Sequence, residues 1–287
     1  MIQLTNGKVK FVDNKRRVIL WKKTNYTQIK LNKGEIALYN FANIKLHAYK
    51  TNDPIDDEVF IIEKNGKAVV IESPCFYDNI KELHSYIKDN KIKVEGVLIS
   101  YHAAGATFLP YAKKFATKHA DKYGHVGGGK GLIDNFTKAF GDIFDNSIHT
   151  TTDFIENGKN IIADIEFDII DKDEGFDIII PEINAVYTHM LGHDCHSIVA
   201  GENHANAIID ELKNYLKNGY DLILTSHYTP EDLKDVETKI AYIEDLKDIA
   251  NSCQDAETFK IKVEKKYPNY SGTNYLDMTK NFFYNNK

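Results

Sequence analysis

Five of the chain's eleven histidines stand at the ends of apolar runs that read as buried strands. His102 follows Val97-Leu98-Ile99-Ser100, His189, His193 and His196 cluster after Ala185-Val186-Tyr187, and His227 follows Leu222-Ile223-Leu224-Thr225. Strand C-termini of an α/β protein converge on one edge of the sheet, where ligands and catalytic groups gather. Neutral imidazoles bind zinc at ~2.0–2.1 Å, and three of them with one open position make a hydrolytic site. His102, His227 and one of His189, His193 or His196 could supply the three. Asp194 is available as a fourth ligand or as the carboxylate that fixes an imidazole tautomer. The same rings, with the hydroxyls of Tyr101, Tyr187 and Tyr228, could instead bind an anion or move protons without a metal, since histidine titrates near neutral pH.

The elements that must position these residues begin with β-rich runs, Ile44 to Tyr49 and Val59 to Ile62, then a turn at Lys64-Asn65-Gly66-Lys67 and a partner run Ala68 to Ile71. Ile80, Leu83, Tyr86 and Ile87 recur at helical spacing before the run that ends near His102. Helical spacing continues from Leu109 to Tyr123, Gly127-Gly128-Gly129 breaks it, and Leu132 to Phe144 resumes it, which predicts an insertion over an edge of the sheet. Phe154-Ile155, Ile161 to Ile165, Phe167 to Ile170, Phe176 to Ile180 and Ala185 to Thr188 read as strands. Ala205, Ile208, Ile209, Leu212 and Leu216 mark a helix with Asn203 as N-cap and Asn218-Gly219 as its end, before the last strand, Leu222 to Thr225. No Gly-, Pro- or Ser-rich linker divides the chain, so the expectation is one domain over residues 1–287, with 231–287 a mainly helical C-terminal extension.

Composition narrows the function classes. With 43% hydrophobic and 27% charged residues among 287, the chain can bury a sizeable core. A net charge of -6 with no basic stripe argues against nucleic acid as a partner. No stretch approaches the roughly 18 apolar residues of a membrane span, and Met1 to Asn6 lacks the opening of a secretory leader, so a cytoplasmic location is expected. Cys75, Cys195 and Cys253 form no CxxC pair and suggest neither a disulfide framework nor a zinc knuckle. Gly124-His125-Val126-Gly127-Gly128-Gly129-Lys130 fits GxxxxGK, yet residue 131 is glycine and the preceding segment is not strand-like, so a loop over the site is the better reading. Cys195 reads as a small buried apolar residue, and the acidic run Asp171 to Glu174 as solvated surface.

From Ile44 to Pro230 the order of hairpin, strand with His102 loop, polar strand-end loop, amphipathic helix and final strand ending in Ser226-His227-Tyr228-Thr229-Pro230 resembles the metallo-β-lactamase superfamily. The resemblance implies an αββα sandwich with one or two metal ions, usually zinc, activating a water at the sheet edge. The signature Thr-His-x-His-x-Asp-His falls on Ser100 to Thr107, where His102 keeps the first histidine and Ala104, Ala106 and Thr107 replace the other ligands. By order, His189 or Met190 takes the place of the bridging aspartate, and Ser226-His227 that of the closing Gly-His. Glu72-Ser73-Pro74-Cys75 stands where the family often has Asp-Thr-Gly, with Glu72 within reach of the first histidine loop.

The resulting expectation is an α/β protein with a four-layer αββα sandwich and a divergent site of His102, His189, His193, His196 and His227. Its function reads as hydrolysis of a small ester, lactone, amide or phosphoester, through one zinc, iron or manganese ion. The alternative is a metal-free, non-catalytic descendant that binds a small anionic ligand or a protein partner. The amphipathic tail after Pro230 offers a surface for an oligomer.

Overall fold

The computed structural model describes the backbone of residues 2–5 and 8–11 and the whole of residues 25–190 and 192–284. Met1 and Asn6, read above for a leader, and Leu191 of the histidine loop lie outside the described residues. Strands β1 (Ile2–Thr5) and β2 (Lys8–Phe11) pair as a separate antiparallel ribbon. A run of antiparallel strands follows: β3 (Tyr26–Lys30), β4 (Glu35–Asn40), β5 (Ile44–Lys50), β6 (Glu58–Lys64) and β7 (Lys67–Ile71). The β6–β7 turn falls at Asn65-Gly66, both with positive φ, as the sequence predicts for a tight hairpin. Helix α1 (Tyr77–Asp89) crosses over to β8 (Lys93–Leu98), which lies parallel to β7, and β9 (Lys113–Ala116) adds a further parallel strand. Helices α2 (Lys118–Val126) and α3 (Gly128–Phe140) then meet at Gly127 before β10 (Asp153–Phe154) closes the edge of this eight-stranded sheet.

The second sheet has six strands, β11 (Gly158–Ile162), β12 (Ile165–Asp171), β13 (Phe176–Ile180), β14 (Ala185–Thr188), β15 (Leu222–Thr225) and β16 (Tyr228–Glu231), in sequence order. Helix α4 (Glu202–Asn218) connects β14 to β15, which run parallel, and α5 (Leu233–Ser252), α6 (Ala256–Lys266) and α7 (Thr273–Tyr284) complete the chain. Between the sheets lies a core of Leu46, Phe60, Ile62, Leu98, Phe167, Phe176, Ile178 and Tyr187. Leu83 and Ile87 of α1 cover the outer face of the first sheet against Ile61, Val70 and Val97. Ile209 and Leu212 of α4, Ile243 and Leu246 of α5 and Phe259 of α6 cover the outer face of the second against Val186 and Ile223. The four layers are therefore α, β, β and α.

Three local expectations are corrected. Residues 113–116, read as helix, are strand β9, because Lys114 and Ala116 are buried in strand alternation beside β8 while the Lys114 ammonium is held by the Leu109 and Ala112 carbonyls. The run Ile161 to Ile165 is not one strand; Ala163 and Asp164 adopt positive φ and turn the chain between β11 and β12. Helix α4 starts at Glu202, not after Asn203, because Gly201 at φ 87 makes the bend and its carbonyl accepts the Ala205 amide.

Candidate metal centre

His102, His189 and His227 come together because three strands end at one edge. β14 and β15 are parallel and in register, Thr188 opposite Thr225, so His189 and His227 emerge at nearly the same level. His102 arrives from the other sheet: beyond β8, the Ile99 amide still bonds to the Phe115 carbonyl. There the Ser100 hydroxyl donates to the Phe176 carbonyl at 2.6 Å and accepts from the Phe176 amide at 2.7 Å. One ring nitrogen of each histidine lies within 4.8 Å of the others. The His189 and His227 Nε2 atoms are 3.2 Å apart, against the ~3.4 Å separation that two nitrogens at ~2.1 Å take around a tetrahedral zinc.

Orientation and protonation both favour ligation. The His227 Nδ1–H donates to the Ile55 carbonyl at 3.1 Å, which leaves the Nε2 lone pair facing His189. Asp57, buried beneath, places Oδ1 3.5 Å from His102 Nδ1 and 3.4 Å from His227 Nδ1. His102 Nδ1 and Asp57 Oδ1 are buried without a hydrogen-bond partner, while Asp57 Oδ2 accepts from the Cys75 thiol at 3.4 Å. Burial drives the imidazole pKa values down, His102 well below the ordinary value, His189 to about 3 and His227 to about 4, so the rings are neutral at pH 7. Neutral imidazole is the form that binds a metal. Asp53, Asp57 and Cys75 form a neighbouring buried group with donor atoms close enough to share a cation.

Glu72 fixes the histidine loop. It sits at the end of β7 with φ 63, an uncommon conformation for a residue other than glycine. Its carboxyl accepts from the Tyr101 amide at 2.8 Å, the His102 amide at 3.2 Å and the Tyr187 hydroxyl at 2.6 Å. Burial raises its pKa to about 7 despite these donors. The Tyr187 oxygen also pairs with the Ser226 hydroxyl at 2.7 Å, so one buried relay joins the His102 loop to the residue before His227. Tyr101 stacks on His189 at 4.8 Å and donates to Asp177 at 2.8 Å. Tyr187→Phe is expected to lower stability by about 1–3 kcal/mol in urea titration, because Glu72 and Ser226 lose a buried partner. A change below ~0.5 kcal/mol would show that the relay carries little energy.

The remaining candidate residues lie away from this cluster. His193 Nδ1 bonds to Glu231 at 2.8 Å, a contact that raises its pKa, with Asp235 3.5 Å away. These three form a separate group able to hold a cation. His196 is buried, bonded through Nδ1 to the Tyr242 hydroxyl at 2.9 Å. Tyr228 meets the His193 ring edge-on and hydrogen-bonds Asp194. Cys195 is a buried free thiol. The buried Lys239 of α5 holds this loop by donating to the Gly192 and Cys195 carbonyls at 2.7 and 2.9 Å. Glu174 is exposed, as the sequence reading has it, and also lines the site, while Asp57 has no counterpart in the sequence reading. Its signal was position: β6 is antiparallel to β7, so the acidic turn Asp53-Pro54-Ile55-Asp56-Asp57 before β6 must reach the edge where β7 ends.

Two cavities meet at the cluster. One, of about 170 Å³, is roofed by α3 and lined by apolar side chains together with Asp57, Glu174 and the three histidines; the other, of about 670 Å³, is lined by Lys172, Glu211, His204 and Lys239 among others. Tyr101, Glu174, His189 and His227 line both.

The chain is similar in structure to a double mutant of the sec-alkylsulfatase PisA1, with a TM-score of 0.61 at 16% identity over 87% of this chain and 50% of that one. The inverting sec-alkylsulfatase Pisa1 from Pseudomonas sp. gives a TM-score of 0.59 at 16% identity, over the same shares. A metallo-β-lactamase from Erythrobacter litoralis is covered over 100% of its length by 76% of this chain, at a TM-score of 0.51 and 12% identity. This is the metallo-β-lactamase fold. The chain spans half the length of the sulfatases, and no family model and no curated protein matches it in sequence. Within the metallo-β-lactamase fold, the segment 100–107 presents one histidine to the edge, and the second and third imidazoles come from the ends of β14 and β15. No helix among the described residues is long and apolar enough to cross a membrane.

Proposed function

We propose that the chain is a hydrolase that works with one divalent metal ion held by His102, His189 and His227. The observation that carries this reading is the trio of imidazoles, His102 and His227 half-buried and His189 exposed to the larger cavity, with two Nε2 atoms 3.2 Å apart at the meeting point of two cavities. Three neutral nitrogens suit zinc, with iron and manganese as the other candidates. When bound, such an ion supplies a water of pKa near ~7 and polarises the oxygen of the scissile group.

The chain's own groups do the rest. Ile55 holds the His227 tautomer, Asp57 faces the Nδ1 atoms of His102 and His227, and Glu72 fixes the backbone that carries His102. Helix α3 covers one side of the centre with Leu132, Ile133 and Phe136. The substrate is a small ester, lactone, amide or phosphoester, and the sulfatase neighbours add a sulfate ester to the compounds worth assaying. The rival reading, an anion bound by protonated imidazoles, is opposed by the desolvation that lowers the pKa of the three rings, and by Lys172 being paired with Asp177 and Glu211.

Elemental analysis of protein purified without a histidine-rich tag is expected to find about one transition metal per chain. Ester hydrolysis should then be lost to a chelator and restored by zinc. Protein that stays metal-free after incubation with zinc, iron and manganese would overturn the reading.

A further inference from the structure

We propose that the smaller cavity beneath α3 takes the apolar part of the substrate, so that the compound acted on is amphipathic. It carries a short alkyl chain or a single aryl ring of about six carbons on one side of the cleaved bond and a polar remainder on the other. The proposal rests on the hydrolase reading and names the substrate class of the same site.

Three observations converge on it. The first is size: a cavity of about 150 Å³ lined by aliphatic and aromatic carbons holds one benzene, and this one measures about 170 Å³. The second is lining: Ile55, Ala104, Leu132, Ile133, Phe136 and Phe144 form an apolar wall, with Asp57, Glu174 and the histidines as the polar part of the lining. The third is position: Tyr101, Glu174, His189 and His227 form the wall shared with the larger polar cavity, so a molecule lying across both has its middle at the histidines.

The roof is built to stay close. A Cβ on Gly124 of α2 would lie 2.5 Å from the Ala103 Cβ, and one on Gly129 of α3 would lie 2.9 Å from the Tyr123 ring. Glycine at 124 lets α2 rest directly on Ala103, beside His102, and glycine at 129 lets α3 rest on the Tyr123 ring of α2. This close-fitting helix pair bounds the cavity on its upper side and limits the length of the apolar group.

Fluorobenzene, which has no group for a metal, tests the cavity separately from the chemistry. Fluorine NMR on the purified protein is expected to show fluorobenzene binding that weakens at least about tenfold in Ile133→Trp, which fills the space. Because Ile133 is buried and its replacement risks the fold, Leu132→Trp, at a half-exposed position, serves as the second variant. In an active preparation, kcat/KM for 4-nitrophenyl esters should rise about fourfold per methylene until about six carbons and then level off. Phe136→Ala should move that limit to longer chains. Absence of fluorobenzene binding, or binding untouched by both tryptophan variants, overturns the proposal whatever the metal content. An active enzyme with a flat chain-length profile overturns it as well. Protein that binds fluorobenzene in the cavity but takes up no metal upholds the cavity and removes the hydrolase reading instead.

Discussion

His227→Ala is expected to reduce bound metal from about one ion per chain to well under ~0.1 and to lower hydrolysis on the order of 10³-fold. The ring supplies one of the two nitrogens that face each other at 3.2 Å, and Ile55 orients it through the other nitrogen. A site left with two imidazoles has too few protein ligands to hold a catalytic zinc firmly. His102→Ala should behave alike. The variants His193→Ala and His196→Ala are the controls, since the first ring is engaged by Glu231 and the second by Tyr242. They should retain the ion, with His196→Ala losing about 1–3 kcal/mol of stability from the orphaned Tyr242 hydroxyl. Elemental analysis of the four proteins decides the ligand set: retention by His227→Ala, or loss from His196→Ala, would place the metal elsewhere.

Acid should destabilise the protein steeply, and His149 isolates one cause. Its ring is buried with both nitrogens unpartnered. Burial first, and the nearby Lys114 ammonium second, push its pKa down to about 3. In the unfolded chain the same ring titrates near 6.5, so above that pH neither state binds the proton and the residue costs nothing extra. Below it, the unfolded state gains a proton that the folded state refuses, and stability falls by about 1.4 kcal/mol per pH unit until about pH 3. The loss attributable to His149 is then about 2 kcal/mol at pH 5. Urea titrations of His149→Leu at pH 7 and pH 5 should show a difference between the two pH values smaller than that of the parent by this amount. Identical differences would mean that the ring finds a proton acceptor in solution.

The strand ends were the legible part of this chain. Val97 to Ser100, Ala185 to Thr188 and Leu222 to Thr225 are short apolar runs bounded by polar residues, and burial on both faces leaves such runs little alternative. They sufficed to place His102, His227 and the loop of His189, His193 and His196 on one edge, while the order of the sandwich layers came from the resemblance to the metallo-β-lactamase superfamily. Residues 109–116 misled because Leu109, Ala112 and Phe115 match helical spacing, while the strand pairing with β8 is a long-range contact that a local pattern does not carry. The fate of His193 and His196 depended on Lys239, Tyr242 and Glu231, some 35 to 50 residues later, which turn their loop toward α5. Asp57 was hidden for another reason: an acidic turn between strands ordinarily faces water, and only the meeting of the two sheets buries this one.

His102 belongs to the eight-stranded sheet, His189 and His227 to the six-stranded one. An ion gripped by all three would therefore be a reversible crosslink between the halves of the sandwich, added to the Ser100–Phe176 and Glu72–Tyr187 hydrogen bonds at the same edge. Its contribution to thermal resistance would follow the free metal concentration, reaching about 4 kcal/mol at a thousandfold excess over Kd. Metal supply would then govern how long the folded chain survives as well as how fast it works.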